Sequence, residues 1–347
     1  MKRLFSLLVL MVACSFSFAT VRTLCNMSYC AGTYANFNDA QAASSNGDTI
    51  YVQGSAIDYG TIDITKSLVI IGTGHNPNKQ NPLVSTFVNI LISASNVQLI
   101  GLRFQHTGTF GASNCAIKKC RITGSSSQAI ILSGANNWLI EGNIIETIGS
   151  TFGINFSFQP SHNTIIQNNV FLGVYFKIVA LSNTLAERTY ILNNVFLGPV
   201  SGYETFSEVD FCSVDNNIFY HSNPDGNSPF SIRNSTMNNN ISFGSGNNSF
   251  NLIGTNNLAG VDPQFVNYSG PPVQFDYAID LSLQPTSPGH NTGTDATDRG
   301  VYGGVGNKFT ETGEPSIAEI TAFTITSPAV IAPGGSLTIS VTSKRVH

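Results

Sequence analysis

The residues of this sequence best suited to acid–base or cation-binding chemistry lie in two insertions between residues 171 and 211. They are Lys177 and Arg188 in the first insertion, and Glu204, Glu208 and Asp210 in the second. General acid–base catalysis needs ionisable groups at set separations, and clustered carboxylates also attract divalent cations. If both insertions project from the same side of the fold, these five side chains meet. The competing interpretation is that they are separate, solvated loop charges.

Acidic residues elsewhere are sparse. No Asp or Glu occurs between Asp63 and Glu141. Two acids in GTDATDRG could suggest a calcium site, but that stretch falls where the repeats end. We therefore interpret Asp298 and Arg299 as turn and cap residues. The six His residues show no metal-ligand spacing, so the sequence predicts no metal site.

Four aromatic residues are candidates for binding sugar rings. They are Trp138, Tyr175, Tyr203 and Tyr220. Aromatic rings offer a large flat apolar surface with a polar edge, which suits stacking on a ligand. The alternative is that these rings pack inside the fold.

The elements that must position these residues are repeats marked by a pair of asparagines. The second asparagine of each pair defines a column that consists of Asn143, Asn169, Asn194, Asn217 and Asn240, with Cys120 and Leu102 in the same place upstream. Successive members are about 18 to 26 residues apart, a period that indicates a solenoid. Apolar columns stand three residues before and two residues after this position.

A parallel β-helix explains both kinds of column, because equivalent residues of successive coils lie one strand spacing apart. An apolar column is buried by the coils above and below it. An asparagine column passes amide hydrogen bonds from coil to coil, and asparagine tolerates the left-handed backbone of a tight bend. The sequence therefore predicts an all-β fold, a right-handed parallel β-helix of about ten coils. At one strand spacing per coil the rod would be roughly 50 Å long.

The predicted organisation has five parts. These are a signal peptide at 1–19, an N-terminal cap at 20–48, the β-helix at 49–304, a linker at 305–316 and a β-hairpin tail at 317–347. The cap should contain a short helix over 34–43, with Phe37, Ala40 and Ala43 on one face. After Ser242 the columns fade, and we interpret residues 245–304 as the last coils and their closure.

The N-terminus has the features of a secretory leader. A basic start, an apolar run and the small-residue site at Ser17-Phe18-Ala19 predict cleavage after Ala19. A lipid-modified Cys14 is the alternative. No later run is long enough for a membrane helix. We expect a secreted or envelope-associated monomer.

Cysteine and charge usage agree with export. Cys25 and Cys30 could bridge in an oxidising compartment. We expect Cys115, Cys120 and Cys212 to be buried thiols that fill space in the core. Charged residues make up only 10% of the chain and the formal net charge is −4. No basic run occurs, which argues against a nucleic-acid partner.

Several stretches resemble a known family. GDTIYVQGS, the repeated Asn-Asn coils and DLSLQPTSPGHNTGTD followed by DRGVYGG resemble secreted right-handed parallel β-helix repeat proteins of the Bacteroidetes type. The resemblance covers residues 35 to 304. The superfamily includes pectate lyases and polygalacturonases, so the resemblance implies a pectate-lyase-like fold and an export route, without a substrate.

The same resemblance defines what an enzyme would need. Lyases of this fold hold Ca²⁺ with clustered acids and use Arg or Lys as the base, whereas the hydrolases use three Asp. The chain lacks the Asn-Thr-Asp, Asp-Asp and Gly-His-Gly elements of the hydrolases, and Arg-Ile-Lys is also absent. Our leading prediction is an exported, non-catalytic β-helix that binds a polysaccharide or a surface protein, as an envelope-associated adhesin would. The alternative is a polysaccharide lyase or glycoside hydrolase acting on acidic polysaccharide, with the five charged residues as its site and Ca²⁺ as its cofactor.

Overall fold

The structure is a computed structural model that covers most of the chain. It describes residues 19–30, 33–79, 82–124, 128–147, 152–156, 159–173, 176–181, 184–198, 205–224, 232–244, 254–268, 270, 274–306, 308–316, 318–325 and 339–345. Most of the predicted signal segment, including Cys14, lies outside these ranges. None of the described helices is long and apolar enough to cross a membrane.

Three long sheets contain most of the strands. Sheet 1 has ten strands: β1 (Val21–Leu24), β2 (Thr49–Val52), β4 (Val69–Ile71), β6 (Gln98–Ile100), β9 (Ala116–Lys118), β12 (Leu139–Glu141), β15 (Ile165–Gln167), β18 (Thr189–Leu192), β21 (Cys212–Asp215) and β24 (Thr236–Asn238). Sheet 2 has eight: β7 (Arg103–Phe104), β10 (Arg121–Thr123), β13 (Ile144–Glu146), β16 (Val170–Leu172), β19 (Val195–Leu197), β22 (Ile218–Tyr220), β25 (Ile241–Phe243) and β26 (Leu258–Ala259). Sheet 3 has eight: β3 (Ile62–Ile64), β5 (Asn89–Ile92), β8 (His106–Phe110), β11 (Gln128–Ser133), β14 (Phe152–Asn155), β17 (Phe176–Leu181), β20 (Phe206–Asp210) and β23 (Ile232–Arg233).

The chain passes through the three sheets in a fixed order. Strands β12, β13 and β14 belong to sheets 1, 2 and 3 in turn, and β15 then returns to sheet 1 beside β12. Each of these strands pairs in parallel with its counterpart one coil later. The fold is therefore a parallel β-helix, as the repeats predict.

The interior is filled by one residue from the middle of each strand. In sheet 2 this column includes Phe171, Phe196 and Phe219, which are fully buried. Their rings stack at centroid separations of 4.9 and 5.0 Å. Each ring is covered by the coils on either side, so the apolar core is continuous along the axis.

The second asparagine of each pair forms an unbroken hydrogen-bonded ladder inside the corner between sheets 1 and 2. Asn194 shows the pattern: its backbone N–H and its Nδ2 both donate to Oδ1 of Asn217, at 2.9 and 3.0 Å. Its Nδ2 also donates to the Ile166 carbonyl at 2.9 Å. Asn143, Asn169, Asn217 and Asn240 repeat the arrangement. At the upstream end the Cys120 backbone N–H donates to Asn143 Oδ1.

The ladder extends one coil further than we predicted. Asn240 donates to Oδ1 of Asn257, and Asn257 donates in turn to the Met237 carbonyl. The prediction that the columns end near Ser242 is wrong for this column. Only 17 residues separate Asn240 from Asn257, so the last coil falls outside the period of the others.

The first asparagine of each pair has a different role. Asn168, Asn193, Asn216, Asn239 and Asn256 all adopt the left-handed backbone conformation, with φ between 52° and 59°. Asparagine accepts this conformation at low cost, and the sharp bend turns the chain from sheet 1 into sheet 2. The first residue therefore makes the bend and the second builds the ladder.

The N-terminal cap contains helix α1 (Phe37–Ala43). The helix starts three residues later than predicted because Asn36 caps it and accepts from the Asp39 backbone N–H. Phe37 and Ala40 are buried as expected, whereas Ala43 is exposed and Gln41 takes its place inside. Before the helix, Cys25 and Cys30 form a disulfide.

The three thiols outside the cap lie in the core. Cys115, Cys120 and Cys212 are buried and form no disulfide. Burial raises the pKa of Cys120 to about 12, and burial likewise raises the pKa of the other two thiols. These cysteines therefore serve as small core residues.

A C-terminal strap, residues 261–316, folds back along the outside of sheet 2. It buries the outward-facing side chains of this sheet in a second apolar cluster. From the sheet come Ile144, Val170, Leu172, Val195, Leu197, Ile218, Tyr220 and Ile241, and from the strap come Phe265, Phe275, Leu281, Leu283, Val301 and Phe309. Our prediction of the last coils and their closure over residues 245–304 is wrong in one part: the described residues of the strap add no strand to the three long sheets and cover sheet 2 instead. The predicted linker also belongs to the strap, since Phe309 is 3% exposed.

The bend asparagines hold the strap in place. Asn168 Nδ2 donates to the carbonyls of Val301 and Gly303, at 2.9 and 2.8 Å. One coil further on, Asn193 Nδ2 donates to the carbonyls of Asp298 and Gly300. A Cβ atom at position 303 would collide with the Asp298 carbonyl, which explains why the sixth residue of DRGVYGG, Gly303, is a glycine.

Two antiparallel strand pairs complete the structure. Strands β27 (Phe265–Asn267) and β28 (Asp280–Leu283) pair within the strap. Strands β29 (Ala318–Ile325) and β30 (Ile339–Arg345) pair in the tail, where we predicted a hairpin.

We predict that Asn194→Leu lowers the free energy of unfolding by roughly 1–3 kcal/mol, because it leaves buried backbone and amide groups without partners. Chemical denaturation of the purified variant measures this change. Asn89→Leu, on the half-buried outer side of β5, is the control and should unfold close to the parent. Equal stability of Asn194→Leu and the parent would contradict the role given to the ladder.

We predict that Asn168→Gly loosens the strap without disturbing the bend, since glycine adopts the φ of 53° freely. Loss of two hydrogen bonds should cost about 1–2 kcal/mol and speed amide exchange around residues 301–303. Asn163→Gly is the matched control, with the same φ of 53° and an exposed side chain. If the amides of residues 301–303 exchange at the same rate in both variants, the hydrogen bonds from Asn168 do not hold the strap.

Candidate functional site

The charged residues predicted as a cluster lie on strands of sheet 3 and at its corner with sheet 1. Lys177 belongs to β17, while Glu208 and Asp210 belong to the neighbouring strand β20. Arg188 directly precedes β18. The two insertions therefore do not leave the coil as predicted, because each contributes a regular strand to the β-helix. Glu204 lies outside the described residues.

This region does not form a converging set of acids in the structure. Glu208 is exposed, whereas Asp210 is half-buried and engaged by its own neighbours. Asp210 pairs with Arg233 at 3.3 Å and accepts from Asn234 Nδ2 at 2.9 Å. Across the described ranges, no group of three His, Cys, Asp or Glu side chains could hold a metal ion. The described residues of this region therefore contain no carboxylate cluster of the kind that holds Ca²⁺.

The aromatic candidates divide into two buried residues and two that lie outside the described ranges. Trp138 is 2% exposed and donates Nε1–H to the Ala112 carbonyl at 2.9 Å. Tyr220 is 6% exposed and packs between Phe265 and Tyr268 of the strap. Neither ring has a free face, so both are packing residues and our expectation of stacking surfaces at them is wrong. Tyr175 and Tyr203 are the pair outside the described residues.

Asp298 and Arg299 lie in the strap, at the turn and cap where we interpreted them. Asp298 contacts His290 Nδ1 at 2.8 Å and accepts from the Asn291 backbone N–H. Arg299 is 5% exposed and donates to the carbonyls of Asn240 and Asn256. At Asn240 it joins the Leu258 backbone N–H, which donates to the same carbonyl, and at Asn256 it reaches the last asparagine bend of the described coils.

The outer face of sheet 2 changes character towards its N-terminal end. Ile144 is the last apolar member of one outward column, and the next two strands place Arg121 and Arg103 in register with it. In the parallel outward column, Leu172 gives way to Glu146 and then to Thr123. The strap thus covers apolar residues over most of the sheet and charged residues at this end.

An open cleft of about 200 Å³ lies between this end of sheet 2 and the strap. We call it the arginine cleft. It is lined by Arg103, Gln105, Arg121, Thr123, Gly124, Glu146 and Gln274. Arg121 and Glu146 form its buried floor, and Gln105 and Gln274 form its exposed rim. Six of its seven lining residues have polar or charged side chains, which suits a polar ligand.

The floor of the cleft is a buried ion pair. Arg121 Nη2 lies 2.9 and 3.2 Å from the two carboxylate oxygens of Glu146. The nearer of these oxygens, Glu146 Oε1, also accepts from the Phe275 backbone N–H at 2.7 Å. Burial opposes the charge of Arg121, but Glu146 and Tyr277 outweigh it, so the pKa of Arg121 is raised. The Arg121 guanidinium lies 5.1 Å from the centre of the Tyr277 ring.

Arg103 supplies charge that the cleft does not compensate. It is half-buried on the strand next to Arg121, about 4.8 Å away at the backbone. Its guanidinium has no hydrogen bond or ion pair with any described residue, and Glu146 is the single acid in the lining. Two cations and one carboxylate leave the arginine cleft with a net charge of about +1 at neutral pH.

The cleft lies within a positively charged stretch of the chain. Residues 64–140 contain no carboxylate and six cations, namely Lys66, Lys79, Arg103, Lys118, Lys119 and Arg121. A buried histidine beside the cleft responds to this charge. Burial, together with the positive charges of Arg121, Arg103 and Lys79, lowers the pKa of His75 to about 3. His75 is therefore neutral, and it stacks on Tyr277 at 5.8 Å.

Sequence analysis missed the arginine cleft, although a signal for part of it was present. We used the absence of carboxylates between Asp63 and Glu141 only as an argument against a catalytic cluster. The same absence leaves the Lys and Arg residues of this stretch as a concentrated positive charge. Arg103 and Arg121 each follow a ladder position directly, so the aligned columns place them together. No repeat pattern predicts the contribution of Gln274 and Tyr277 from the strap.

Comparison with solved structures supports the fold. The structure is similar to the crystal structure of pectate lyase Pel9A, with a TM-score of 0.53 and 10% sequence identity over 82% of this chain and 96% of that chain. A variant of the PL6 family alginate lyase AlyGC matches with a TM-score of 0.29 and 14% identity over 64% of this chain and 37% of that chain. No protein-family model matches the sequence, and no curated protein matches it either. The chain therefore has a pectate-lyase-like fold.

We predict that His75 makes stability depend on pH. The pKa of His75 is about 3 in the fold against 6.5 when unperturbed, so its contribution is fully present above pH 6.5 and falls as the pH drops towards 3. Between pH 7 and pH 5 the loss should be about 2 kcal/mol, because only the unfolded chain takes up the proton. Urea denaturation of the parent and of His75→Phe at both pH values measures it. The variant should lose less stability than the parent, and equal losses would contradict the prediction.

Proposed function

We propose that this protein is an exported, non-catalytic β-helix that binds acidic polysaccharide at the arginine cleft. The observation that carries the proposal is the uncompensated charge of Arg103 beside the buried pair of Arg121 and Glu146. A ligand carboxylate in the cleft would supply the missing counter-charge. The sugar hydroxyls would meet the amides of Gln105 and Gln274 at the rim.

Guanidinium groups suit this ligand chemically. Arginine is weakly hydrated, stays charged at all relevant pH values and donates two parallel hydrogen bonds to a carboxylate. The walls of the cleft reduce screening by water, which strengthens an ion pair formed there. Carboxylates spaced along a polysaccharide would also be attracted by Lys118, which is half-buried on the sheet 1 strand β9. A neutral glycan would gain neither interaction.

Support for the enzymatic alternative comes from the fold, which resembles that of a pectate lyase. We favour binding instead, because Asp210 is paired with Arg233 and no group of three His, Cys, Asp or Glu side chains among the described residues could hold a metal ion. The two functions give different products. A lyase acting on polyuronate releases unsaturated ends that absorb in the ultraviolet, and a binding protein releases none. Incubation with polyuronates, with and without Ca²⁺, decides between them.

Export and cell-envelope association belong to the same proposal. The leader-like N-terminus, the Cys25–Cys30 disulfide and the resemblance to secreted Bacteroidetes-type β-helix proteins support them. Acidic polysaccharides are found outside cells, so the proposed ligand and the proposed location agree. A surface protein with exposed carboxylates is the other partner that this charge pattern would attract.

We predict that Arg103→Gln weakens binding of polygalacturonate about tenfold, a free-energy loss of roughly 1.4 kcal/mol. Affinity of the parent should fall as salt concentration rises, since the attraction is electrostatic. Calorimetric titration with polygalacturonate and with a neutral galactan measures both effects.

The control is Arg233→Gln, which removes one positive charge far from the cleft. Arg233 pairs with Asp210 on sheet 3, and its side chain is 43% exposed. This variant should bind polygalacturonate as the parent does. Failure of the parent to bind any polyuronate would refute the proposed function.

A further inference from the structure

We propose that Glu146 determines which anions the arginine cleft accepts, favouring singly charged carboxylates over doubly charged anions. This inference rests on the proposed function and assigns a specificity-determining residue to the same site. The positive groups of the cleft attract any anion. Selection between anions requires a second group whose effect on binding depends on the ligand's charge. Glu146 is the acid in the lining that can have this effect.

The position of Glu146 makes its charge effective. It is 1% exposed, so little water screens its carboxylate. Both its oxygens contact Arg121 Nη2, and its backbone lies on β13, one strand from Arg121. An anion that reaches Arg103 in the cleft therefore also lies close to a fixed negative charge.

The desolvation cost of the anion is what makes this arrangement selective. For a doubly charged anion, attraction by the two arginines and repulsion by Glu146 both double, whereas the cost of removing the ion from water rises about fourfold. A dianion also brings more charge than a net +1 site can neutralise. It must therefore leave one charge uncompensated in a half-buried cleft, at a desolvation cost that a single carboxylate avoids.

The competing explanation is that Glu146 only holds the strap. Its carboxylate accepts from the Phe275 backbone N–H, and Arg121 Nη2 donates to the Phe275 carbonyl at 3.3 Å. A purely structural role would make the packing of Glu146 important and its charge irrelevant to ligand choice. Variants that separate charge from packing distinguish the two explanations.

The test measures how well acetate and sulfate compete with polygalacturonate for the full-length protein at constant ionic strength. Sulfate carries two charges and acetate one. In the parent, acetate should displace polygalacturonate at least as well as sulfate does at the same concentration. In Glu146→Gln, which keeps an oxygen to accept from Phe275, competition by sulfate relative to acetate should rise by about tenfold.

Two further variants complete the test. Glu146→Asp keeps the charge and alters the packing, so its ratio of sulfate to acetate competition should stay near that of the parent. Glu141→Gln removes a buried carboxylate of the same coil that does not line the cleft, and it should also leave the ratio unchanged. Measured unfolding of every variant confirms that it is folded.

Each outcome bears on the inference. An unchanged ratio in Glu146→Gln, or an equal change in Glu146→Asp, would overturn the role of Glu146 and leave the proposed function standing if Arg103→Gln still weakens binding. A parent protein that binds polygalacturonate but shows no competition by either anion would also overturn it. A parent that does not bind polygalacturonate would remove both proposals together.

Discussion

The structure depends on one constraint: a residue in one coil must lie one strand spacing from its equivalent in the next. At that separation one asparagine side-chain oxygen accepts from both the backbone N–H and the side-chain amide of its neighbour, as Asn217 Oδ1 accepts from Asn194. The same spacing brings aromatic rings into stacking contact, as with Phe196 and Phe219. Any change of register would break both sets of contacts at once. This explains why the repeats keep their columns while the lengths between them vary.

Much of this architecture could be predicted because a column is a local property of the sequence. The ladder, the inward rings and the parallel order of strands all follow from aligned Asn-Asn pairs. The strap could not be placed in this way, since its residues do not repeat. A clue was nevertheless present in Val195-Phe196-Leu197, where three consecutive apolar residues in one strand indicate burial on both faces. Asn257 was missed for a simpler reason, because its coil is shorter than the others.

The arginine cleft shows where prediction from sequence ends. Its two cations belong to aligned columns, so their proximity is a consequence of the repeat. Its character depends on what the strap adds, namely the Phe275 backbone against Glu146 and the Tyr277 ring against Arg121. The predicted acidic cluster failed for the opposite reason. Its residues were close in sequence, but Asp210 found a partner in Arg233 on the next strand.

The strap also affects the order in which the molecule can be completed. Coils of a solenoid contact mainly their neighbours, so the first coils can form before the last have been synthesised. Here Thr312, near the end of the strap, accepts from the backbone N–H groups of His75 and Asn76 in an early coil. The outer face of sheet 2 consequently stays bare until more than 300 residues have emerged from the ribosome. A nascent chain with an uncovered apolar surface needs protection from self-association, and that requirement ends only when this final segment arrives.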